Sequence, residues 1–116
     1  MVQAYNNPRK IKTMPSTKNF LQFVLEHLSG LTDVDYRAMM GEFILYYRGK
    51  IVGGIYDNRL LVKPTESAKK LLPNAQMEIP YPGGKPMLMI PDVERPELLE
   101  QLFIAMYDEL PNGKKK

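Results

Sequence analysis

The central stretch of the chain is the feature that most constrains its fold. It contains three apolar runs, rich in β-branched, aromatic and leucine residues, at 43–47, 51–56 and 60–62. Two short turn signals separate these runs, at 48–50 and 57–59. Apolar runs of this length, joined by two or three turn residues, are typical of consecutive antiparallel hairpins. The sequence therefore predicts a β-meander, with a further strand leading into it through Gly41.

Helices are predicted on both sides of this meander. An apolar stripe with helical spacing follows a capping hydroxyl at Ser16 or Thr17, and Gly30 is expected to end that helix in a left-handed conformation. A short helix should follow Thr65, and Pro96 should begin a last helix after a buried strand. The expected fold class is α+β: a single domain in which an antiparallel β-meander is packed by an N-terminal and a C-terminal helix, with a short helix between strands.

Charge divides the chain into a folded part and two basic ends. The formal net charge is +3, but residues 1–18 carry four basic side chains and no acid, and 114–116 are three lysines. The remainder has nine basic and thirteen acidic residues, a balance of 9 − 13 = −4. We therefore expect a flexible basic arm at 1–15, a folded domain at 16–111 and a disordered basic tail at 112–116. The mildly acidic folded part disfavours a broad nucleic-acid-binding face.

The composition gives little support to catalysis or to export. The chain has one histidine, His27, and no cysteine, so it lacks a thiol nucleophile and a cysteine-ligated metal. No Asp, Glu or His grouping has a recognisable metal spacing. We expect a protein that is not an enzyme and has no cofactor and no metal. Neither a membrane-spanning run nor a signal peptide is evident, so a cytoplasmic protein with no membrane partner is expected.

Two surfaces are candidates for binding. The proline-glycine loop at 80–86 presents Tyr81 and Lys85 as possible contacts with a partner protein. It is not a phosphate-binding loop, because its glycines are adjacent and Pro86 follows the lysine. Nucleic acid is the alternative partner, bound weakly by the basic tails and by four cationic residues of the hairpins: Arg48, Lys50, Arg59 and Lys63. Five methionines are expected to fill the core: Met39, Met40, Met87, Met89 and Met106.

Several separated motifs resemble one known family. They are YRAMMGE at 36–42, then Leu45-Tyr46, Gly49-Lys50, Asp57-Asn58-Arg59-Leu60 with Lys63, PYPGGKP at 80–86, and the run to Leu110-Pro111. Together they cover about residues 17–111 and are similar to the N-terminal domain of the TfoX (Sxy) family. The sequence departs from the family where Met40, Leu61 and Met87 replace frequent aromatic residues. These departures are interpreted as exchanges within the core.

The resemblance implies a domain from regulators of natural competence, which act with a cyclic-AMP receptor protein at certain promoters. Full-length members carry a second, C-terminal domain similar to DNA-binding modules, and this chain resembles a stand-alone copy without it. The resemblance carries over no catalytic residue. We therefore expect a non-enzymatic regulatory or protein-interaction domain, a monomer or a homodimer, whose partner is another protein such as a transcription regulator. The alternatives are weak nucleic-acid binding and an unrecognised small-ligand site.

Overall fold

Six strands and three helices make up the part of the chain that the computed structural model describes, residues 17–112. In order they are α1 (Lys18–His27), β1 (Val34–Met39), β2 (Glu42–Tyr47), β3 (Lys50–Tyr56), β4 (Arg59–Val62), α2 (Glu66–Leu71), β5 (Met77–Glu78), β6 (Met87–Met89) and α3 (Pro96–Met106), with a 3₁₀ turn at Tyr107–Glu109. The strands form one antiparallel sheet in the order β1-β2-β3-β4-β6-β5. The predicted α+β class is confirmed. The predicted arm at 1–15 lies outside the described residues, as does the tail beyond residue 112.

Tight two-residue loops set the register of the first four strands. Met40-Gly41, Arg48-Gly49 and Asp57-Asn58 each connect two neighbouring strands, and all six residues have positive φ angles. Positive φ at both loop positions is the requirement of a type I′ turn, whose twist matches that of the flanking strands. The predicted hairpins are therefore confirmed. Their strands begin as soon as each turn ends.

Paired glycines in β3 allow the strands on either side to approach closely. A Cβ on Gly53 would lie 2.1 Å from the carbonyl oxygen of Leu61, and one on Gly54 would lie 2.7 Å from that of Phe43. Next to them, Leu45 pairs with Gly53 and Tyr46 with Ile51, so Val52 is an extra residue in the ladder. The extra residue is a β-bulge, which is common where glycines let neighbouring strands come close.

All three helices pack on one face of the sheet, here called the helix face. The core cluster there joins α1 and α3 side chains to inward residues of β2, β3 and β4; its largest fully buried members include Phe103, Leu21, Leu45, Ile55 and Leu60. Tyr56 and Leu61 are also buried, but they lie outside that cluster. Because side chains alternate along a strand, these two belong to the opposite, second face.

Two local expectations from the sequence are wrong. Gly30 does not have a left-handed φ: α1 ends at His27 with Leu28 as its cap, and the positive φ after it belongs to Asp33. Met39 and Met40 are exposed, at 44% and 96%, because Met40 occupies the β1–β2 turn and β1 is an edge strand. Met106 is fully buried as expected.

Candidate interaction surfaces

The loop between β5 and β6 is held in a defined shape. Pro80 is buried, Gly83 has a φ of +85°, and the Gly84 amide donates to the Tyr81 carbonyl at 2.9 Å. A Cβ on Gly84 would lie 3.0 Å from both the Pro80 and the Tyr81 side chains. The proline, the left-handed glycine and the turn hydrogen bond therefore fix the loop and present Tyr81.

Tyr81 leans on the second face of the sheet while remaining half exposed. Its ring centroid lies 5.9 Å from that of Tyr56, and its side chain is 49% exposed against 8% for Tyr56. Burial raises the pKa of the Tyr56 hydroxyl, with smaller contributions from Tyr81 and Glu42. The buried, uncharged ring of Tyr56 is thus the surface on which the Tyr81 ring packs. The other side of the Tyr81 ring faces solvent.

Lys85 and Lys63 give this region positive charge. Lys85 is exposed and Lys63 is half-buried beside it. Burial lowers the pKa of Lys63, and the neighbouring charge of Lys85 lowers it further. Two ammonium groups that repel each other are stabilised by a negative group placed near them. We call Tyr56, Lys63, Tyr81 and Lys85 the loop surface.

Arg59 has a structural role at the start of the same loop. Its Nη1 donates to Glu78 Oε1 at 3.0 Å, its Nη2 to the Ile79 carbonyl at 3.2 Å, and its Nε to the Tyr56 carbonyl at 3.1 Å. A guanidinium can bridge three acceptors in this way because its donors form a rigid fork. Arg59 therefore fastens β5 and the beginning of the loop to the β3–β4 turn.

Arg48 and Lys50 meet at the end of α3. Lys50 Nζ donates to the Tyr107 carbonyl at 3.0 Å and lies 4.1 Å from the centre of the Tyr107 ring. Arg48 Cζ lies 4.5 Å from the same centre. Carbonyls at a helix C-terminus lack intrahelical partners and carry partial negative charge, so a lysine there stabilises the helix end. The two cations hold Tyr107 in place through charge and ring contacts.

The four cations proposed for nucleic acid do not form one patch. Arg48 and Lys50 lie at the β2–β3 turn, whereas Arg59 lies at the opposite end of β3 and is occupied by Glu78. Burial, and then the charge of Lys85, lower the pKa of Lys63, which places Lys63 with Lys85 rather than with the other three cations. Nucleic-acid binding by these residues stays a prediction.

An open groove of about 650 Å³ follows β1, the first strand of the sheet. We call it the β1 groove; it is lined by Asp33, Val34, Asp35, Tyr36, Arg37, Tyr46, Arg48, Gly49 and Tyr107. Two of these residues carry carboxylates, Asp33 and Asp35, and two carry guanidinium groups, Arg37 and Arg48, so the groove has no single charge sign. Sequence reasoning missed this surface, although the opposite charges of Asp35 and Arg37, two residues apart, were visible in the sequence.

His27 makes contacts within its own helix, α1. His27 Nδ1 lies 2.8 Å from the Phe23 carbonyl, and its ring packs on the Phe23 ring at 4.4 Å, so its contacts are local to α1. Among residues 17–112, no group of three or more His, Cys, Asp or Glu side chains could hold a metal ion. None of the described helices is long and apolar enough to span a bilayer.

Comparison with known proteins now gives the family. The family model for the TfoX N-terminal domain matches residues 26–102, more than half of the chain. The chain is also 34% identical over 94 residues to an uncharacterised 12.7 kDa protein from the trpE 5′ region of Spirochaeta aurantia, covering 79% of this chain and 82% of that protein. No solved structure gives a significant match. The chain belongs to the TfoX N-terminal domain family.

Proposed function

We propose that this domain is a non-enzymatic regulatory module that binds another protein through the loop surface. Membership of the TfoX N-terminal domain family supports a regulatory role in general. The observation that carries the proposal is the half-exposed Tyr81 ring, held on Tyr56 by a loop whose shape is already fixed. An aromatic side chain presented in this way contributes large contact area and loses little conformational entropy on binding.

Charge indicates which partner surface would fit. Lys85 is exposed and repels Lys63, so a carboxylate on the partner would relieve that repulsion while contacting the Tyr81 edge. We therefore expect a partner with an acidic patch next to an apolar one. A transcription regulator, such as a cyclic-AMP receptor protein, is the first candidate to test.

The experiment compares affinity capture by the full chain and by matched variants. Immobilised Tyr81→Ala and Lys85→Ala proteins are compared with wild type and with Ile104→Ala, which removes an apolar side chain that is 58% exposed on α3. Binding to a purified cyclic-AMP receptor protein, and to proteins captured from cells and then purified, is measured by calorimetry. Circular dichroism checks that each variant is folded.

We expect Tyr81→Ala to weaken binding by about tenfold or more, because truncating a central aromatic contact can remove about 2 kcal/mol, and about 1.4 kcal/mol is already tenfold. Lys85→Ala should weaken it less and mainly at low salt, and Ile104→Ala should bind as wild type does. Unchanged affinity in both loop variants would exclude the loop surface as the contact.

Nucleic-acid binding is the second candidate, supported by the position of Arg48 beside the β1 groove and Tyr107. Titration of fluorescent duplex and single-stranded DNA at two salt concentrations tests it, with Arg48→Gln compared with wild type. Affinity that falls steeply with salt and weakens in the variant would support this candidate. A small ligand would have the β1 groove as its site, but an open groove buries little of a ligand.

A further inference from the structure

Within the described residues, 17–112, strand β1 leaves one long edge of the sheet without a neighbouring strand. It is the first strand in the sheet order and pairs with β2 on one side only. It has six residues, and five of them are exposed. An edge of this length offers a row of backbone donors and acceptors to another strand.

The register shows which backbone groups face that edge. Met40-Gly41 is a two-residue loop, so the flanking pair Met39–Glu42 is a hydrogen-bonded one, and bonded pairs then recur at every second residue. Consistent with this, the Asp33 carbonyl accepts from the Arg48 amide at 2.9 Å. The alternate residues Val34, Tyr36 and Ala38 therefore direct their amides and carbonyls outward.

Local contacts agree with that assignment. The Tyr36 amide donates to the side chain of its own neighbour, Asp35 Oδ1, at 3.0 Å, as an outward amide without a strand partner would. Tyr36 is 43% exposed on the helix face, where its ring meets Phe43 edge-on. On the second face, the Arg37 side chain forms no hydrogen bond or ion pair with residues 17–112.

We propose that β1 pairs antiparallel with β1 of a second copy of this chain, centred on Tyr36. Outward residues must pair with outward residues, which places Tyr36 opposite Tyr36 and Val34 opposite Ala38. Asp35 of each copy then lies directly opposite Arg37 of the other. Two identical ion pairs form on the second face, as a two-fold axis requires of a self-complementary surface. This inference is independent of the loop surface, which lies toward the opposite edge of the sheet, next to β5.

Charge selects this register among the neighbouring ones. The nearest registers that still pair outward residues are shifted by two residues. A shift in one direction places Asp35 opposite Asp35, and a shift in the other direction places Arg37 opposite Arg37. Like charges directly opposite in adjacent strands destabilise the pair, whereas opposite charges stabilise it. Asp35 and Arg37 both line the open β1 groove, and in the dimer Asp35 exchanges its own Tyr36 amide for the guanidinium of the second copy.

Charge-swap variants of the full chain test the pairing. Sedimentation velocity over a wide concentration series is run on wild type, Asp35→Arg and Arg37→Asp. Each variant replaces both opposite-charge pairs by like-charge pairs, so dimerisation should weaken by about tenfold or more. Mixing the two variants in equal amounts restores both opposite-charge pairs in a heterodimer, which should form about as readily as the wild-type dimer.

A cross-link tests the register. The chain has no cysteine, so Tyr36→Cys introduces a single thiol. In the proposed dimer the two Cα atoms of residue 36 lie about 5.5 Å apart, which suits a disulfide. Ala38→Cys is the matched control, because its two copies would be about 14 Å apart. Mild oxidation should therefore link the first variant and not the second.

Three results would overturn the proposal. They are a wild-type protein that stays monomeric at every concentration, charge-swap variants that dimerise as wild type does, and equal cross-linking at positions 36 and 38. The first would leave the edge to a strand of a different protein or to no partner, and the second would place the dimer contact elsewhere.

Discussion

The two edges of the sheet are built in opposite ways. At one side the last strand, β5, has only two residues, and Arg59 fastens it by an ion pair to Glu78 and a hydrogen bond to Ile79. At the other side β1 has six residues and is exposed along almost its whole length. A short, fastened strand offers little to a second chain, whereas a long free strand offers a complete ladder. Among residues 17–112, β1 is therefore the edge that offers a strand-length row of backbone groups for pairing.

The charged residues follow the same division. Arg59 forms an ion pair with Glu78, 19 residues away in the chain, at the β5 edge of the sheet. Arg37, on the open edge, forms no such contact with the described part of the chain. The paired guanidinium of Arg59 stabilises the fold, whereas the guanidinium of Arg37 can form an ion pair with a second chain.

The largest expected effect comes from a proline within β1. Arg37→Pro removes an amide that bonds to β2, so it should lower the free energy of unfolding by about 2 kcal/mol. Ala38→Pro removes an outward amide and should cost under about 1 kcal/mol. Urea denaturation followed by circular dichroism measures both. Equal losses of stability would show that the inward and outward amides of β1 are assigned wrongly.

Removing the Arg59 contacts that hold β5 in place should lower stability by a smaller amount. Arg59→Ala leaves Glu78 and the Ile79 carbonyl without their donor, and a loss of about 1–2 kcal/mol is expected, since both side chains are partly exposed and screened by water. Arg59→Lys is the control: it keeps the charge but cannot bridge three acceptors, so it should recover only part of the loss. Thermal unfolding measures the series. Full recovery by lysine would mean that charge alone fastens β5.

The smallest expected effect concerns α2, the helix that precedes β5. Glu109 accepts from the Ser67 amide at 3.0 Å and from the Ser67 hydroxyl, and so supports the first turn of α2. These bonds lower the pKa of Glu109. A carboxyl with a lowered pKa stabilises the fold above its unfolded value of about 4.3 and loses that contribution as pH falls through the folded value.

Glu109→Gln should therefore have a lower Tm than wild type at neutral pH, with a difference that shrinks in acid. Ser67→Ala removes the main cause of the shift and should behave in the same direction. Melting curves between about pH 3 and pH 7 test this, the range being set by the ordinary carboxyl pKa. A difference in Tm that stays constant across the series would assign the effect to something other than ionisation of Glu109.

The sequence was informative where structure depends on neighbouring residues. The hairpins followed from local turn chemistry, because Arg48-Gly49 and Asp57-Asn58 interrupt apolar runs at a fixed spacing. The Thr17 cap followed in the same way, and its hydroxyl does accept from the Phe20 amide. Tyr81 was expected to be exposed on a loop, and it is half exposed, while its role as a contact stays a prediction.

Other features depend on residues far apart and could not be predicted in this way. A two-residue strand such as β5 has no periodicity. Glu109 accepts from the Ser67 amide in the first turn of α2, 42 residues away in the chain, and no local sequence pattern connects the two. Met39 and Met40 were assigned to the core by their apolar character. Only the sheet order shows that β1 is an edge and that Met40 lies in a turn.

Amide hydrogen exchange, followed residue by residue by NMR at low and high protein concentration, tests the contrast between the edges most directly. The outward amides of Tyr36 and Ala38 should exchange quickly in dilute protein and become protected as concentration rises. Those of Met77 and Glu78 should not change with concentration. Exchange at Tyr36 and Ala38 that is independent of concentration, or protection that develops at β5 instead, would contradict the account.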